Sequence, residues 1–98
     1  MKPPIGLGTT VRQADNLVSC ELDGETALMC VESGQYYGLD PVGGRIWSLI
    51  EKDRLVSELC TLLLAEFDAE APQLEYHVIA FLNQLAENNL VVVDEPAV

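Results

Sequence analysis

The stretch SGQYYGLDPVGGRIWSLI, residues 33–50, places a turn, a short strand and the start of a helix in immediate succession. Gly34 can adopt the positive φ that closes a hairpin, and residues 35–39 contain two tyrosines, a residue type that favours strands. Asp40 can cap a new helix, and Pro41 suits its first position, where the missing N–H costs nothing. The stretch therefore predicts a short strand joined to a helix at a sharp corner.

The helix that starts at Pro41 has an apolar side and a pair of glycines. Gly43 and Gly44 weaken its first turns by about 1 kcal/mol each relative to alanine, so we expect close backbone packing there. Its apolar side consists of Ile46, Trp47, Leu49 and Ile50. The corner is compatible with a purely structural role or with a strand edge used for docking.

The charge of the chain narrows the possible partners. Five Lys and Arg stand against sixteen Asp and Glu, which gives a formal net charge of −11, and every basic residue lies at or before Arg54. Such a field repels phosphate backbones and anionic lipid headgroups, which argues against binding to nucleic acid or to a membrane surface. A basic or uncharged peptide remains an acceptable partner.

Residues 15–93 are predicted to form one domain, between a loose N-terminal segment (1–14) and an acidic tail (94–98). No apolar run approaches the roughly 20 residues of a membrane span, and residues 1–4 lack the apolar core of a signal peptide, so we expect a cytoplasmic protein. The odd number of cysteines and the absence of a C-x-x-C pair argue against disulfides and zinc. We interpret Cys20, Cys30 and Cys60 as small buried hydrophobes.

The first hairpin is predicted from alternation and from a turn signal. Residues 17–22 alternate in polarity, Asp23-Gly24 is a two-residue turn, and the second strand covers about residues 25–32. The resulting pairs are Leu22 with Glu25, Cys20 with Ala27, and Val18 with Met29. Cys20 and Cys30 then lie on opposite faces of the sheet.

The second hairpin has two possible closures. It can close over residues 33–34, or over residues 32–34 with Gly34 left-handed in a bulge. We prefer the bulge because it places the large side chains of the third strand on the same face of the sheet as two apolar residues of the second strand. That face then contains Ala27, Met29, Tyr37 and Leu39. The prediction is a three-stranded antiparallel meander with its third strand at an edge.

Three helices are predicted to cover this sheet. They span about residues 41–51, 55–67 and 72–88, and residues 90–93 could form a short terminal strand. The third helix has a core stripe and a weaker apolar shoulder beside it. The shoulder consists of Glu75, Tyr76, Ile79, Leu82, Asn83 and Ala86. It can be a contact with a neighbouring helix or one wall of a groove, and both interpretations remain open.

Catalytic signatures are lacking. His77 is the only histidine, and no Ser or Cys stands in a nucleophile motif. Gly43-Gly44 lacks the further glycines and the lysine of a phosphate-binding loop, and the carboxylates are not spaced like a calcium loop. We therefore expect a protein that is not an enzyme and that has no catalytic residue, metal or cofactor.

The run from Gly34 to Asp40, then Gly44, then Ile46-Trp47, resembles the PqqD-like family. The apolar positions that extend the resemblance are Val78, Phe81, Leu82, Leu85 and Leu90. Members of this family are recognition elements of ribosomally made, post-translationally modified peptides. The resemblance covers roughly residues 15 to 93.

This resemblance implies an α+β, winged-helix-like domain, a three-stranded antiparallel sheet followed by three α-helices. It also implies that a leader peptide adds a strand to the third strand beside a cleft at the third helix. The implied peptide-binding residues are Met29, Val31, Gln35, Tyr36, Tyr37, Gly38, Leu39, Glu75, Tyr76, Ile79, Leu82, Asn83 and Ala86.

Within the family, a free-standing chain of this size is most similar to the leader-binding proteins of lasso peptide biosynthesis. Their implied partners are the precursor leader peptide, a separate cysteine-protease subunit and an ATP-dependent macrolactam cyclase. The peptide chaperone of pyrroloquinoline quinone synthesis is the alternative, ranked second because residues 28–34 lack a tyrosine-proline-glutamate run. One departure is Leu55, where the family tends to have a Ser or Thr cap, which leaves Asp53 as the nearest capping side chain.

A winged-helix DNA-binding regulator is the alternative from another class, since three helices and a hairpin also describe that fold. A helix that reads DNA bases needs exposed Arg or Lys, and the third helix contains none. The charge pattern therefore disfavours this alternative.

Overall fold

The computed structural model describes residues 5–94, which form two small antiparallel sheets and three helices. The strands are β1 (Thr10–Gln13), β2 (Leu17–Leu22), β3 (Glu25–Cys30), β4 (Tyr36–Leu39), β5 (Arg54–Leu55) and β6 (Val91–Asp94). The helices are α1 (Pro41–Leu49), α2 (Val56–Glu66) and α3 (Ala71–Glu87). The predicted meander followed by three helices is confirmed as the sheet β2-β3-β4 with α1, α2 and α3. Residues 1–4 and 95–98 of the predicted terminal segments lie outside the described residues.

The first hairpin has the predicted register. Asp23 and Gly24 have φ values of 53° and 83°, and two successive positive φ values match the right-handed twist of the flanking strands. The pairs Leu22 with Glu25, Cys20 with Ala27 and Val18 with Met29 are all present. Cys20 and Cys30 lie on opposite faces and are free thiols.

The preferred register of the second hairpin is wrong by one residue. Gly34 is left-handed as predicted, with φ of 73°, but the loop spans residues 31–34. Tyr37 therefore lies opposite Leu28, and Leu39 lies opposite Thr26. The observed register is favoured because it buries Leu28 completely, together with Leu39, in the core. The face carrying Ala27 and Met29 points away from the helices.

The prediction of a loose N-terminal segment is wrong for residues 10–13, which form β1. β1 pairs with β5 on one side and β6 on the other, and Val11 is fully buried between them. Strand β6 corresponds to the predicted terminal strand. The apolar side chain of Val11 reaches the core, which explains why residues 10–13 form a strand although they show no periodicity.

The N-terminal segment also caps α2. The backbone N–H groups of Val56 and Ser57 donate to the carbonyl oxygens of Thr9 (2.9 Å) and Leu7 (3.0 Å). These bonds satisfy amides at the helix start that have no intrahelical acceptor. The expectation that Asp53 caps the helix is wrong, since no side chain caps α2 and Asp53 lies 3.6 Å from the Arg12 guanidinium.

Helix α1 is held at both ends by the residues around it. The Asp40 carboxylate accepts a hydrogen bond of 2.6 Å from the Gly43 N–H, which confirms the predicted cap. At the other end, the Arg54 Nε donates to the carbonyl oxygen of Leu49 at 2.6 Å. Because α1 starts directly after β4, these bonds fix the helix relative to the sheet edge.

The three helices and both sheets enclose a single apolar core. Its fully buried members come from β1, β3, α2 and α3, from the residue directly after α1 and from the residue directly before β6. They are Val11, Leu28, Ile50, Val56, Leu59, Leu63, Val78, Leu82 and Leu90. Cys60 is buried as predicted, Cys30 is half-buried and Cys20 is exposed, so the interpretation of Cys20 as a buried hydrophobe is wrong. Within residues 5–94, no helix is long and apolar enough to cross a membrane.

Candidate functional site

Strand β4 forms one edge of the sheet β2-β3-β4, and no described strand pairs with its outer side. The Cys30 N–H donates to the Gln35 carbonyl at 2.9 Å across the β3–β4 ladder. Hydrogen-bonded positions alternate along an antiparallel strand, so Tyr37 also directs its backbone groups toward β3. Tyr36 and Gly38 consequently direct an N–H and a C=O each toward the open side. Four backbone groups are thus available to an additional strand.

The side chains along β4 alternate between the two faces of the sheet. Tyr37 is half-buried on the core side, where its hydroxyl donates to the Gln35 Oε1 at 2.8 Å. Leu39 is buried on the same side, whereas Tyr36 is 71% exposed on the outer face. Gly38 has no atom within 4 Å of the place a β-carbon would occupy, so the outer face of the sheet is unobstructed there.

An apolar cavity of about 570 Å³ lies beside the C-terminal end of β4, between the start of α1 and α3. This volume is in the range of ~300–1,000 Å³ that is usual for ligand pockets. Its apolar lining includes Val42, Ile46, Phe67, Leu74, Val78 and Phe81, and its polar lining includes Asp40, His77 and Gln84. The cavity can accept a large apolar side chain.

The close approach of α1 to α3 at Gly43 shapes this cavity. A β-carbon on Gly43 would lie 3.2 Å from the Phe81 ring and 3.1 Å from the Asp40 carboxylate. The predicted close backbone packing at the glycine pair is therefore present. The sequence analysis placed Val78 and Phe81 on the core stripe of the third helix and Phe67 on the apolar stripe of the second, and it gave Val42 no role, so the residues that line the cavity were not predicted as a site. The glycine pair at the helix start was the available signal.

The strand residues predicted to bind a peptide do not share one surface. Gln35, Tyr37 and Leu39 lie on the core side of β4, whereas Tyr36 and Met29 lie on the outer face. Val31 is 59% exposed in the loop of residues 31–34. The backbone edge at Tyr36 and Gly38 is the feature that connects the predicted strand positions with the cavity.

The predicted shoulder of α3 does not line the cavity. Asn83 faces the N-terminal segment, where its side-chain oxygen accepts a 3.4 Å hydrogen bond from the Ile5 N–H. Leu82 and Ala86 are buried in the core and Ile79 packs against it. The remaining members differ in exposure: Tyr76 is exposed and Glu75 is half-buried. The cavity is bordered instead by the α3 face that carries Leu74, His77, Val78, Phe81 and Gln84.

Strand β2 is the other open edge of the same sheet, but its surroundings differ. The cavity beside it measures about 250 Å³ and is mostly polar. Its lining includes the carboxylates of Glu21 and Glu51. Since apolar anchors supply most of the affinity in peptide grooves, β4 is the better edge for strand addition.

Two of the cysteine thiols have pKa values that are shifted in opposite directions. A hydrogen bond from Ser33 lowers the pKa of the Cys30 thiol, and burial raises the pKa of the Cys60 thiol. Within residues 5–94, no three His, Cys, Asp or Glu side chains are grouped so that they could hold a metal ion. Recognition of a peptide chain is the chemistry that the open edge and the cavity can support.

Comparison with known proteins gives matches of two kinds. The family model of PqqD, coenzyme PQQ synthesis protein D, matches residues 25–91. The structure of TbiB1 in complex with the TbiA(beta) leader peptide shares 34% sequence identity over 89% of this chain and 99% of that chain, with a TM-score of 0.75. A lasso peptide synthetase B1 complexed with the leader peptide has the same fold at 20% identity, with a TM-score of 0.75 over 84% of this chain and 96% of that chain. No curated protein matches the sequence.

The fold and the site define an α+β domain with an open strand edge beside an apolar cavity. Residues 25–91 are 67 of the 98 residues, so the family match extends over most of the chain. The chain belongs to the PqqD family.

Proposed function

We propose that the protein is a non-catalytic adaptor that binds the leader segment of a ribosomally synthesised precursor peptide as an additional strand at β4. It presents this precursor to a separate cysteine-protease subunit and an ATP-dependent macrolactam cyclase in lasso peptide biosynthesis. It acts in the cytoplasm, where ribosomal precursors are made. The open edge at Tyr36 and Gly38, next to the apolar cavity, is the observation that carries this proposal. The likeness to TbiB1, which is bound to a leader peptide, supports it.

Approximate free energies of binding can be assigned to the edge and to the cavity separately. Four backbone hydrogen bonds at Tyr36 and Gly38 contribute a net of about 2–6 kcal/mol. A dissociation constant of about 1 μM requires about 8 kcal/mol, and ordering the peptide adds a further cost. One or two large apolar side chains in the cavity supply about 1.5–3 kcal/mol each. The edge therefore sets the orientation of the leader, and the cavity sets much of its affinity and selectivity.

The test is a titration of a fluorescently labelled leader, taken from the precursor encoded beside the gene, followed by fluorescence polarisation. We expect saturable binding with a dissociation constant of roughly 1 μM or below. A leader of the same composition in scrambled order is the control and should not bind. Absence of saturation with the native leader, while circular dichroism confirms the fold, would refute the proposal.

The peptide chaperone of pyrroloquinoline quinone synthesis is a second candidate, because the matching family model is named for that pathway. The same titration with the peptide precursor of pyrroloquinoline quinone distinguishes the two. Tighter binding of that precursor than of the lasso leader would reverse their order. The absence of Lys and Arg from α3 disfavours DNA binding.

A further inference from the structure

The open edge of β2 lies beside a second cavity, which the proposed function does not use. The Val31 N–H donates to the Asn16 carbonyl oxygen at 3.2 Å, which fixes the phase of the hydrogen bonds between β2 and β3. Since hydrogen-bonded positions alternate, Ser19 and Glu21 turn their backbone N–H and C=O groups to the open side. Both residues also line the cavity of about 250 Å³ on the core side of the sheet. A strand added at this edge therefore directs alternate side chains toward the cavity.

Two carboxylates determine the charge of this cavity. Glu21 and Glu51 both line it, and its lining contains no Lys or Arg. Neither carboxylate forms an ion pair with a basic side chain of residues 5–94. A cavity bordered by two carboxylates without a cationic partner favours a ligand that carries a positive charge.

Trp47 also lines this cavity, and it is the only tryptophan of the chain. Its side chain is 4% exposed, and within residues 5–94 its Nε1 is a buried nitrogen without a hydrogen-bond acceptor. A buried N–H without an acceptor costs free energy, which a bound molecule that supplies an acceptor recovers. The cavity thus combines a donor that lacks an acceptor with two carboxylates that lack a cation.

The size of the cavity and its place beside a strand edge favour a peptide over a small molecule. About 250 Å³ is below the ~300–1,000 Å³ that is usual for ligand pockets, so single side chains fit it better. A strand added to β2 supplies such side chains from every second position. A basic side chain matches Glu21 and Glu51, and an amide or hydroxyl side chain can accept from the Trp47 Nε1.

Strand β2 lacks the usual features that block the addition of a strand. Its six residues include no Pro and no Lys, and no described strand pairs with its outer side. Its one charged residue is Glu21, which lines the cavity and repels an acidic strand but attracts a basic one. Two copies of a chain with a net charge of −11 repel each other, which disfavours a dimer through this edge.

We propose that the β2 edge and its cavity form a second peptide-binding site, which takes an extended basic segment of a partner protein. We call it the acidic edge site; it consists of Ser19, Glu21, Trp47 and Glu51. The segment joins the sheet as a strand beside β2, with a Lys or Arg side chain between the two carboxylates and a side-chain acceptor at the Trp47 Nε1. Because β4 is the opposite edge of the same sheet, this segment and the leader peptide bind at the same time.

The probe for the acidic edge site is a seven-residue peptide with blocked ends, in which lysine alternates with valine and one inner lysine is replaced by glutamine. In an extended chain its lysine and glutamine side chains all lie on one face. A titration of ¹⁵N-labelled protein by NMR follows the single indole N–H of Trp47 and the backbone amides of Ser19 and Glu21. We expect all three signals to shift saturably, and hydrogen exchange of the two amides to slow. A peptide of the same composition with its lysines grouped at one end should bind at least about tenfold more weakly.

Two pairs of variants separate this site from general attraction by charge. Glu21→Gln combined with Glu51→Gln should weaken binding of the probe at least about fivefold. The matched control is Glu58→Gln combined with Glu87→Gln, which changes the net charge equally at two exposed side chains outside the cavity. Ser19→Pro removes an N–H from the open side and should weaken binding at least about tenfold, whereas Ser19→Ala should bind like the wild type. If Ser19→Pro fails to fold by circular dichroism, hydrogen exchange in the wild type decides the role of the edge.

Five results would overturn this inference. They are an indole signal of Trp47 that does not move, equal binding of the grouped peptide, equal effects of the two pairs of glutamate variants, displacement of the probe by the leader, and a wild-type dimer that Ser19→Pro abolishes in sedimentation analysis. Displacement would assign the probe to β4, and the dimer would assign the edge to a second copy of the chain. Failure of the leader to bind refutes only the proposed function, because the acidic edge site does not depend on it.

Discussion

Gly44 packs directly against Thr26, so that a β-carbon on Gly44 would lie 2.5 Å from the Thr26 hydroxyl oxygen. This contact joins α1 to the middle strand of the sheet β2-β3-β4. Because α1 begins directly after β4, the same contact determines how the open edge and the cavity are placed relative to each other. Glycine is required at this position by the close approach, although it lowers the propensity of the helix.

Gly44→Ala is expected to destabilise the protein by about 1–3 kcal/mol, because the new methyl group overlaps Thr26. The free energy of unfolding in urea measures the effect. In a Thr26→Ala background most of this penalty should disappear, since the overlapping hydroxyl is gone and alanine favours the helix by up to about 1 kcal/mol. An equal penalty in both backgrounds would show that the contact with Thr26 is not its cause.

Gly38→Pro is expected to weaken leader binding at least tenfold, because proline lacks the N–H that faces the open side of β4 and its ring obstructs an added strand. Gly38→Ala is the matched control. It keeps the N–H, and the place of its β-carbon has no atom within 4 Å, so it should bind like the wild type. Polarisation titrations measure both variants, with circular dichroism to verify the fold. Normal affinity of folded Gly38→Pro would exclude strand addition at this residue.

Val42→Asp is expected to weaken leader binding at least tenfold, because a carboxylate would enter the apolar cavity. Val42 is 38% exposed, so the substitution should cost little stability. Ile79→Asp, which changes the predicted shoulder of α3, is compared with Val42→Asp in the same titration. An equal loss of affinity for Ile79→Asp would show that the groove extends to the shoulder. Unchanged affinity would leave the α3 face that carries Phe81 as the wall of the groove. If Val42→Asp binds normally, the cavity has no part in recognition.

The ion pair between Arg45 and Glu66 predicts a pH dependence of stability. The Arg45 Nε lies 2.8 Å from a Glu66 carboxylate oxygen, and this hydrogen bond lowers the pKa of Glu66 in the folded protein. A carboxylate with a lowered pKa stabilises the fold above its unfolded pKa, and this stabilisation is lost as the pH falls through the folded value. Both side chains are partly exposed, so the effect is small.

Thermal unfolding of Arg45→Met against the wild type measures this contribution. At pH 7 the variant should have a slightly lower Tm, and the difference should shrink as the pH falls through the lowered folded pKa of Glu66 and disappear once Glu66 is protonated in both states. Glu66→Gln should behave in the same way. A difference in Tm that does not shrink at all as the pH is lowered would assign it to packing of the Arg45 side chain.

Local chemistry in the sequence predicted much of the fold. The turn at Asp23-Gly24, the cap at Asp40 and the spacing of apolar residues in three helices each depend on neighbours within four residues. The first hairpin register follows from its two-residue turn, which leaves a single way to pair the strands. Glycine at the start of a helix lowers the stability of the helix, and a close contact must offset this loss. The close packing at Gly43-Gly44 was therefore predictable.

The register of β4 was not predictable in this way, because its loop allows several closures. Burial of Leu28 and Leu39 in one core selects one of them, and that register decides which residues face away from the helices. The identity of the α3 face at the cavity likewise depends on where Phe81 meets Gly43. The predicted shoulder residues have the right periodicity, but Asn83 faces the N-terminal segment.

The sequence by itself determined the order of the elements, the net negative charge that disfavours nucleic acid as a partner, and the resemblance to the PqqD family, which the family match confirms. Only the tertiary structure decided the pairing of β1 with β5 and β6, and the capping of α2 by the carbonyls of Leu7 and Thr9. These contacts join segments more than 40 residues apart. No local pattern encodes them, because they form only when burial of the whole core brings the segments together.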